Sequence, residues 1–295
     1  MTLNLMLVSP TAVYLSGDFR LSSASGPLPD DLNTQKLVPV AKSGWMALVS
    51  FAGIGRTPSG MDVGEWLVAE TDAIAHDAGI DELERRLIDA DAWLAPLGPA
   101  RHHIFSVVGF NGPQPFAMVV SNFHDDHGQP LATVKNMQSH FVSEQTTVLV
   151  RGWEPAVLPN EADGLRELLL KGVDPRQLQI DMAAVNEAAA GRSSTISREC
   201  VTGHLLSDGT GELAPRGISD AAEYMPPFVR RSFRNQGVSG FLCKPDAQGR
   251  RLNPYWVGMT LARREKFLAM VHAVRNVSEL CTDANQSPLF WKNDV

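Results

Sequence analysis

Several stretches of the chain carry side chains that could hold a metal, attack an electrophile or move a proton. His124-Asp125-Asp126-His127 combines imidazole and carboxylate ligands, yet four adjacent residues in one turn rarely converge on a single ion. They read as a solvated hairpin tip, and no metal is expected. His102-His103 precedes a strand, so the two rings face opposite sides, one exposed and one packed. His204 sits within an apolar strand and reads as a satisfied core histidine rather than a general base. Cys200 opens the same strand with no histidine or acid motif around it, and apolar surroundings raise a thiol pKa. Asp208-Gly209-Thr210-Gly211 is followed by neither a lysine nor a helix, which makes it a turn and not a phosphate cradle. No cofactor is expected. Thr2, Asp18 and Lys36, taken singly, are a residue near a chain end, a turn residue after a strand and an edge charge. Any chemistry they do is joint.

The elements that would position these groups follow from the spacing of apolar residues. Short apolar runs at 3–8, 12–17, 37–40 and 45–52, separated by Ser, Pro, Gly and Asp, predict strands. Asp62 with Glu65, and Asp81 with Glu84, are capping-box-like starts. Apolar residues at helical spacing then predict helices over 63–76 and 83–94, the second stopped by Pro96. Strands return at 103–110 and 116–123, joined by a tight reversal at Asn111-Gly112-Pro113, with another at 146–150. Helices are expected at 161–171 and after the Asp174 cap with Pro175 in the first turn, then a strand at 200–206. Strands, two helices, strands, two helices and a strand do not follow βαβ alternation. The order predicts an α+β fold with a two-sheet core and a helix pair outside each sheet, a four-layer α/β/β/α sandwich. After Ser207 the chain turns rich in Gly and Pro, with a basic knot at Arg230, Arg231 and Arg234 around Phe233 that suits an acidic partner or, more in keeping with an acidic protein, ion pairing with a neighbouring subunit. The expectation is a core over 1–206 and an irregular extension over 207–295, with one helix near 261–277.

Composition bounds the function classes. The chain has 295 residues, 44% hydrophobic and 20% charged, which is enough to bury a large core. A formal net charge of −7 argues against nucleic acid as a partner, since a phosphate backbone needs clustered Lys and Arg. No apolar run approaches the roughly 18 residues that span a bilayer, and residues 1–8 lack the basic flank of a secretory signal, so no membrane partner is expected and a cytoplasmic protein is. Cys200, Cys243 and Cys281 are odd in number and far apart, and read as reduced core thiols.

The run from Thr2 to Arg20, TLNLMLVSPTAVYLSGDFR, with Lys36-Leu37-Val38-Pro39-Val40 and the stretch 46–53, resembles the proteasome β-subunit family and its bacterial relatives, which are N-terminal-nucleophile (Ntn) hydrolases. That family begins its mature chain with a threonine, carries an aspartate sixteen residues on and then a lysine opening an apolar strand. Thr2, Asp18 and Lys36 fill those places, with a loop two residues longer before the lysine. The order of helix pairs and hairpin agrees too, so the resemblance covers roughly residues 2–206. It implies the Ntn-type sandwich, threonine-type hydrolysis of a peptide or small amide, assembly into a ring or dimer of like subunits and, in some relatives, an ATPase partner. It also makes Gly53 the candidate whose N–H meets the oxyanion.

The chemistry of those residues is consistent with that role. A threonine hydroxyl is a weak nucleophile until a base takes its proton, and at a chain start the α-amine, with a pKa of about 7.7–8.0, can serve. A charged lysine nearby stabilises the developing oxyanion, while a buried aspartate keeps that lysine charged and oriented. This needs Met1 removed, and the small second residue is one that methionine aminopeptidases accept. Two departures stand against the family pattern: Trp153 occupies the place of a serine in a Gly-Ser-Gly turn, and Ser194 stands where an acid would precede Ser197. The alternative is therefore a catalytically inactive subunit of the same fold, acting in assembly or partner binding, with the Trp153 ring filling the pocket.

Overall fold

The computed structural model describes residues 2–23, 26–28, 36–125, 127–142 and 146–216, and the backbone of three later strands. The first half runs β1 (Leu3–Val8), β2 (Ala12–Asp18), the two-residue strands β3 (Ser22–Ser23) and β4 (Gly26–Pro27), β5 (Leu37–Lys42), β6 (Trp45–Gly53), α1 (Val63–Ala73), α2 (Ile80–Ile88), the single turn α3 (Asp91–Leu94), β7 (His103–Asn111) and β8 (Gln114–Ser121). Then come β9 (Gln138–Val142), β10 (Thr147–Gly152), α4 (Pro159–Lys171), α5 (Pro175–Arg192), β11 (Cys200–Leu206), β12 (Thr210–Arg216), β13 (Ser239–Pro245), β14 (Leu252–Gly258) and β15 (Trp291–Lys292).

Two antiparallel sheets dominate this α+β fold, one ordered β10-β1-β2-β11-β12-β15 and the other β5-β6-β7-β8-β9. Strand β1 is buried along its whole length because both of its faces are covered. Leu3, Leu5 and Leu7 pack with Leu165 and Leu169 of α4 and Leu178 and Met182 of α5. Met6 and Val8 point the other way, into a cluster with Leu48, Phe51 and Phe105 of the second sheet. Alternation along an extended chain thus places Thr2 and Asn4 on the side of β1 that faces the second sheet. Val63 and Leu67 of α1 and Leu83 and Leu87 of α2 join the same cluster as β7 and β8.

Local signals account for most element ends. Asp62 caps α1, its carboxylate accepting from the Glu65 N–H at 3.0 Å, and Asp174 caps α5 by accepting from Arg176 and Gln177. Helix α2 begins earlier than its spacing predicts, with Gly79 rather than Asp81 at its N-cap, and it ends at Ile88, leaving 91–94 as a separate turn. The β7–β8 hairpin closes at Asn111↔Gln114, where Gly112 takes φ 54°, the left-handed region that glycine tolerates. Strand β9 has no apolar alternation to announce it, since Gln138, Ser139 and His140 are polar.

The extension beyond 206 is not simply irregular. Strand β12 pairs with β11 from Cys200↔Arg216 to Leu205↔Gly211 and so widens the first sheet, and β13 and β14 form an antiparallel pair. The helix expected at 261–277 and the arginine knot at 230–234 lie outside the described residues. Among the described residues, no helix is long and apolar enough to cross a membrane.

Candidate functional site

Three turns of chain bring the predicted residues together. Thr2 immediately precedes β1, Asp18 ends β2, and Lys36 immediately precedes β5 in the other sheet. The Lys36 Nζ donates to Thr2 Oγ1 at 2.7 Å, and that hydroxyl donates to the Arg20 carbonyl at 2.9 Å. Asp18 accepts from the Leu3 N–H at 2.6 Å through Oδ2 and from the Arg20 N–H at 2.7 Å through Oδ1. The carboxylate therefore clips the chain on either side of the hydroxyl. Thr2, Asp18 and Lys36 are each 0% exposed.

Burial sets the electrostatics. It pushes the Asp18 carboxyl up to about 6, against the lowering pull of the Lys36 charge and of the N–H groups of Leu3, Arg20 and Ser197. The Lys36 ammonium also lies 4.4 Å from the centroid of the Phe51 ring, a cation–π contact that replaces part of its lost hydration. His103 stacks on Phe51 with ring centroids 5.8 Å apart, and burial followed by the Lys36 charge lowers it to about 3. It is neutral at pH 7, so the positive charge next to the Thr2 hydroxyl belongs to Lys36.

Gly53 ends β6 opposite His103, with φ 110°, and a Cβ there would lie 2.2 Å from the His102 carbonyl oxygen. Only glycine fits. Its neighbour Ala52 is close to Thr2's surroundings by way of Gly152, where a Cβ would fall 3.1 Å from Ala52 Cβ and 2.0 Å from the Thr2 carbonyl oxygen. Strand β10 runs beside β1 with Leu3↔Gly152 in register, and the Trp153 N–H donates to the Thr2 carbonyl at 3.2 Å. The Trp153 side chain packs with the Leu3, Leu5 and Ala156 cluster beneath α4 and α5.

Ser197 is buried beside Asp18, and its hydroxyl donates to Glu199 Oε2 at 2.8 Å. Ser194, the residue at the position where the resemblance calls for an acid, is exposed. Glu199 is a carboxylate that sequence reasoning missed, one hydrogen bond from Ser197, because nothing in its spacing ties it to that hydroxyl. The other candidates fall elsewhere. His102 is exposed and His103 buried. His204 is buried as expected, and among the described residues neither of its ring nitrogens has a hydrogen-bond partner. Cys200 is buried, and burial pushes its thiol up to about 12. His124 bonds to Ser121 at 2.9 Å, and among the described residues no three His, Cys, Asp or Glu side chains gather as a metal site.

No known protein family matches the sequence, and no curated protein resembles it significantly. Solved structures give distant likenesses. Anbu (ancestral beta-subunit) from Yersinia bercovieri aligns with a TM-score of 0.43 and 7% identity over 69% of this chain and 80% of its own. Anbu from Hyphomicrobium sp. strain MC1 aligns with a TM-score of 0.43 and 10% identity over 69% and 82%. Likenesses this remote assign the chain neither a family nor an activity.

Proposed function

We propose that the chain is a threonine-type Ntn hydrolase of amide or peptide bonds, built as a four-layer α/β/β/α sandwich and active once Met1 is removed. The observation that carries the proposal is the 2.7 Å bond from the Lys36 ammonium to the Thr2 hydroxyl. In the proposed reaction the α-amine of Thr2 takes the hydroxyl proton, directly or through a water, and Oγ1 forms a bond to the substrate carbonyl carbon. Lys36 stabilises the alkoxide and the tetrahedral oxyanion, Asp18 keeps Lys36 charged, and the Gly53 N–H faces the oxyanion. Collapse breaks the carbon–nitrogen bond, the leaving amine takes the proton, and water later hydrolyses the ester on Thr2. Residues 1–206 form the core of this reading, and β12 supports an extension over 207–295 that packs on it. A homo-oligomer, ring or dimer, and a cytoplasmic site of action complete it, and light scattering of the purified chain tests the first.

The test is covalent. A β-lactone or epoxyketone added to the processed protein should add one probe mass, located on Thr2. Thr2→Ala should abolish the adduct and leave the thermal transition in place. Labelling that persists in Thr2→Ala removes Thr2 from the reaction. A second reading is favoured by the complete enclosure of Thr2 in the chain that still carries Met1, because the hydroxyl must be uncovered, by loss of Met1 or by movement of its neighbours, before it reacts. A protein whose intact mass shows a free Thr2 amine, yet which takes up no probe, is the inactive subunit.

A further inference from the structure

The proposed site is split between two sheets, with Thr2 and Asp18 on one and Lys36 at the edge of the other. Between the sheets the contacts are mostly apolar, and apolar packing is non-directional, so on its own it does not fix one side chain against another to a few tenths of an ångström. Besides the Lys36–Thr2 bond itself, directional contacts between the sheets among the described residues occur at Asn4. Asn4, two residues from Thr2 on the same side of β1, donates from Nδ2 to Ser106 Oγ of β7 at 3.2 Å. Its Oδ1 accepts from Ser50 Oγ of β6 at 3.1 Å. All three side chains are 0% exposed.

Their register ties the group to the reactive atoms. Ser50 is opposite Leu37 in the β5–β6 ladder, the residue next to Lys36. Ser50 Oγ also fits against Gly17, the residue before Asp18: a Cβ on Gly17 would come within 2.6 Å of that oxygen, 3.4 Å of Asn4 Oδ1 and 3.6 Å of the Lys36 carbonyl oxygen. One polar group thus touches the strands that carry Thr2, Asp18 and Lys36.

We infer that Asn4, Ser50 and Ser106 are positioning residues that set the distance from Lys36 to Thr2 across the two sheets; the inference rests on the hydrolase reading above. Burying three polar side chains gives little net stability over an apolar filling of the same shape. What a satisfied buried network adds is a unique alignment, and a displacement of about 1 Å at a reacting group costs about a hundredfold in rate.

The experiment measures β-lactone inactivation of the full processed chain, resolving the maximal rate kinact from the half-saturating concentration KI, for wild type, Ser106→Ala and the triple variant Asn4→Leu/Ser50→Ala/Ser106→Ala. Thermal unfolding is recorded alongside. The expected result is a triple variant that folds with a melting temperature within a few degrees of wild type, loses about a hundredfold in kinact and keeps its KI. Ser106→Ala, which removes a single hydroxyl, should lose a smaller part of kinact at unchanged KI and serves if the triple variant does not fold. A reactive wild type with kinact unchanged in the folded variants overturns the positioning role and leaves the hydrolase reading standing. An inert wild type with a free Thr2 amine overturns both.

Discussion

Two carboxylates of the first sheet, Asp18 and Glu212, are buried against a cation, and the two pairs are built differently. At one, Asp18 and Lys36 are both fully enclosed, and the ammonium is spent on a third group, the Thr2 hydroxyl. At the other, Glu212 of β12 is enclosed, but its partner Arg176 of α5 keeps 38% of its side chain exposed and bonds to the carboxylate itself at 2.9 Å. Burial raises both carboxyls and the cation opposes it at both. Arg176 can shed part of its desolvation cost to water, and its guanidinium ties α5 to β12, which is a fastening role. Lys36 is fully enclosed, and its bond goes to a hydroxyl that the proposed reaction uses. A cation held at that cost beside a hydroxyl is the arrangement expected of a site, because charge has been placed where stability alone would not put it.

That contrast can be broken most severely with paired substitutions that remove each cation but keep an apolar stem. Lys36→Met should lower the rate of Thr2 acylation by about 10²–10³-fold, the scale on which a single preorganised charge acts on an oxyanion. Its effect on stability should be small, because the Asp18 carboxyl, already raised, takes up a proton when its partner is gone. Arg176→Met should do the reverse. Glu212 would lose a charge-assisted hydrogen bond, at a cost of about 2 kcal/mol by denaturant titration, while acylation kinetics stay at the wild-type value. Equal losses of rate in the two variants would mean that the pairs do not differ in kind.

The pH dependence of the reaction sharpens the same distinction. The reading requires the Thr2 α-amine unprotonated and Asp18 ionised, so the rate should fall as the amine takes its proton and fall about tenfold further per pH unit below about 6, where the raised carboxyl takes its own. The stability contribution of that group has the opposite sign. A carboxyl raised on folding contributes stability that is full below its ordinary value of 3.8 and is lost as the pH rises through about 6. Asp18→Asn should remove the break near pH 6 and leave, at a lower rate, only the limb of the Thr2 α-amine. A break near pH 6 that persists in this variant belongs to another group.

How much of this was legible in the sequence depends on whether a feature is local. The α1 cap at Asp62, the Asn111-Gly112 reversal and the leucine alternation of β1 are written within a few residues, and the structure forms them there. Strand β9 was not, because its polar residues sit at a sheet edge and carry no period. Strand β12 hid behind a Gly-rich turn. At the site, Thr2, Asp18 and Lys36 could be named only as a set, by resemblance, since each alone is an ordinary end, turn or edge residue. Glu199 and the Asn4–Ser50–Ser106 group carry no local signal at all. Their partners are set by sheet register and by which faces meet, and register is a property of the pairing rather than of either strand.

The smallest expected effect concerns the unspent member of the second region. Strand register places His204 between Tyr14 and Glu212 across β2, β11 and β12, its ring 5.9 Å from that of Tyr14 and both nitrogens without a hydrogen-bond partner among the described residues. Burial lowers it to about 4, with Arg176 and Arg216 adding to the lowering and Asp174 opposing it. A histidine depressed in this way contributes stability that is present above its ordinary value of 6.5 and is lost as the pH falls towards about 4. His204→Phe keeps a planar ring against Tyr14 and removes the orphaned nitrogens, so it should stabilise the protein at pH 7 by about 1 kcal/mol. It should also lessen the drop in melting temperature between pH 6.5 and 4.5, with His103 and His124 left to account for what remains. Thr2 acylation should not change. A variant that loses stability at pH 7 would show that His204 is satisfied after all, and would place this ring in the same fastening role as Arg176.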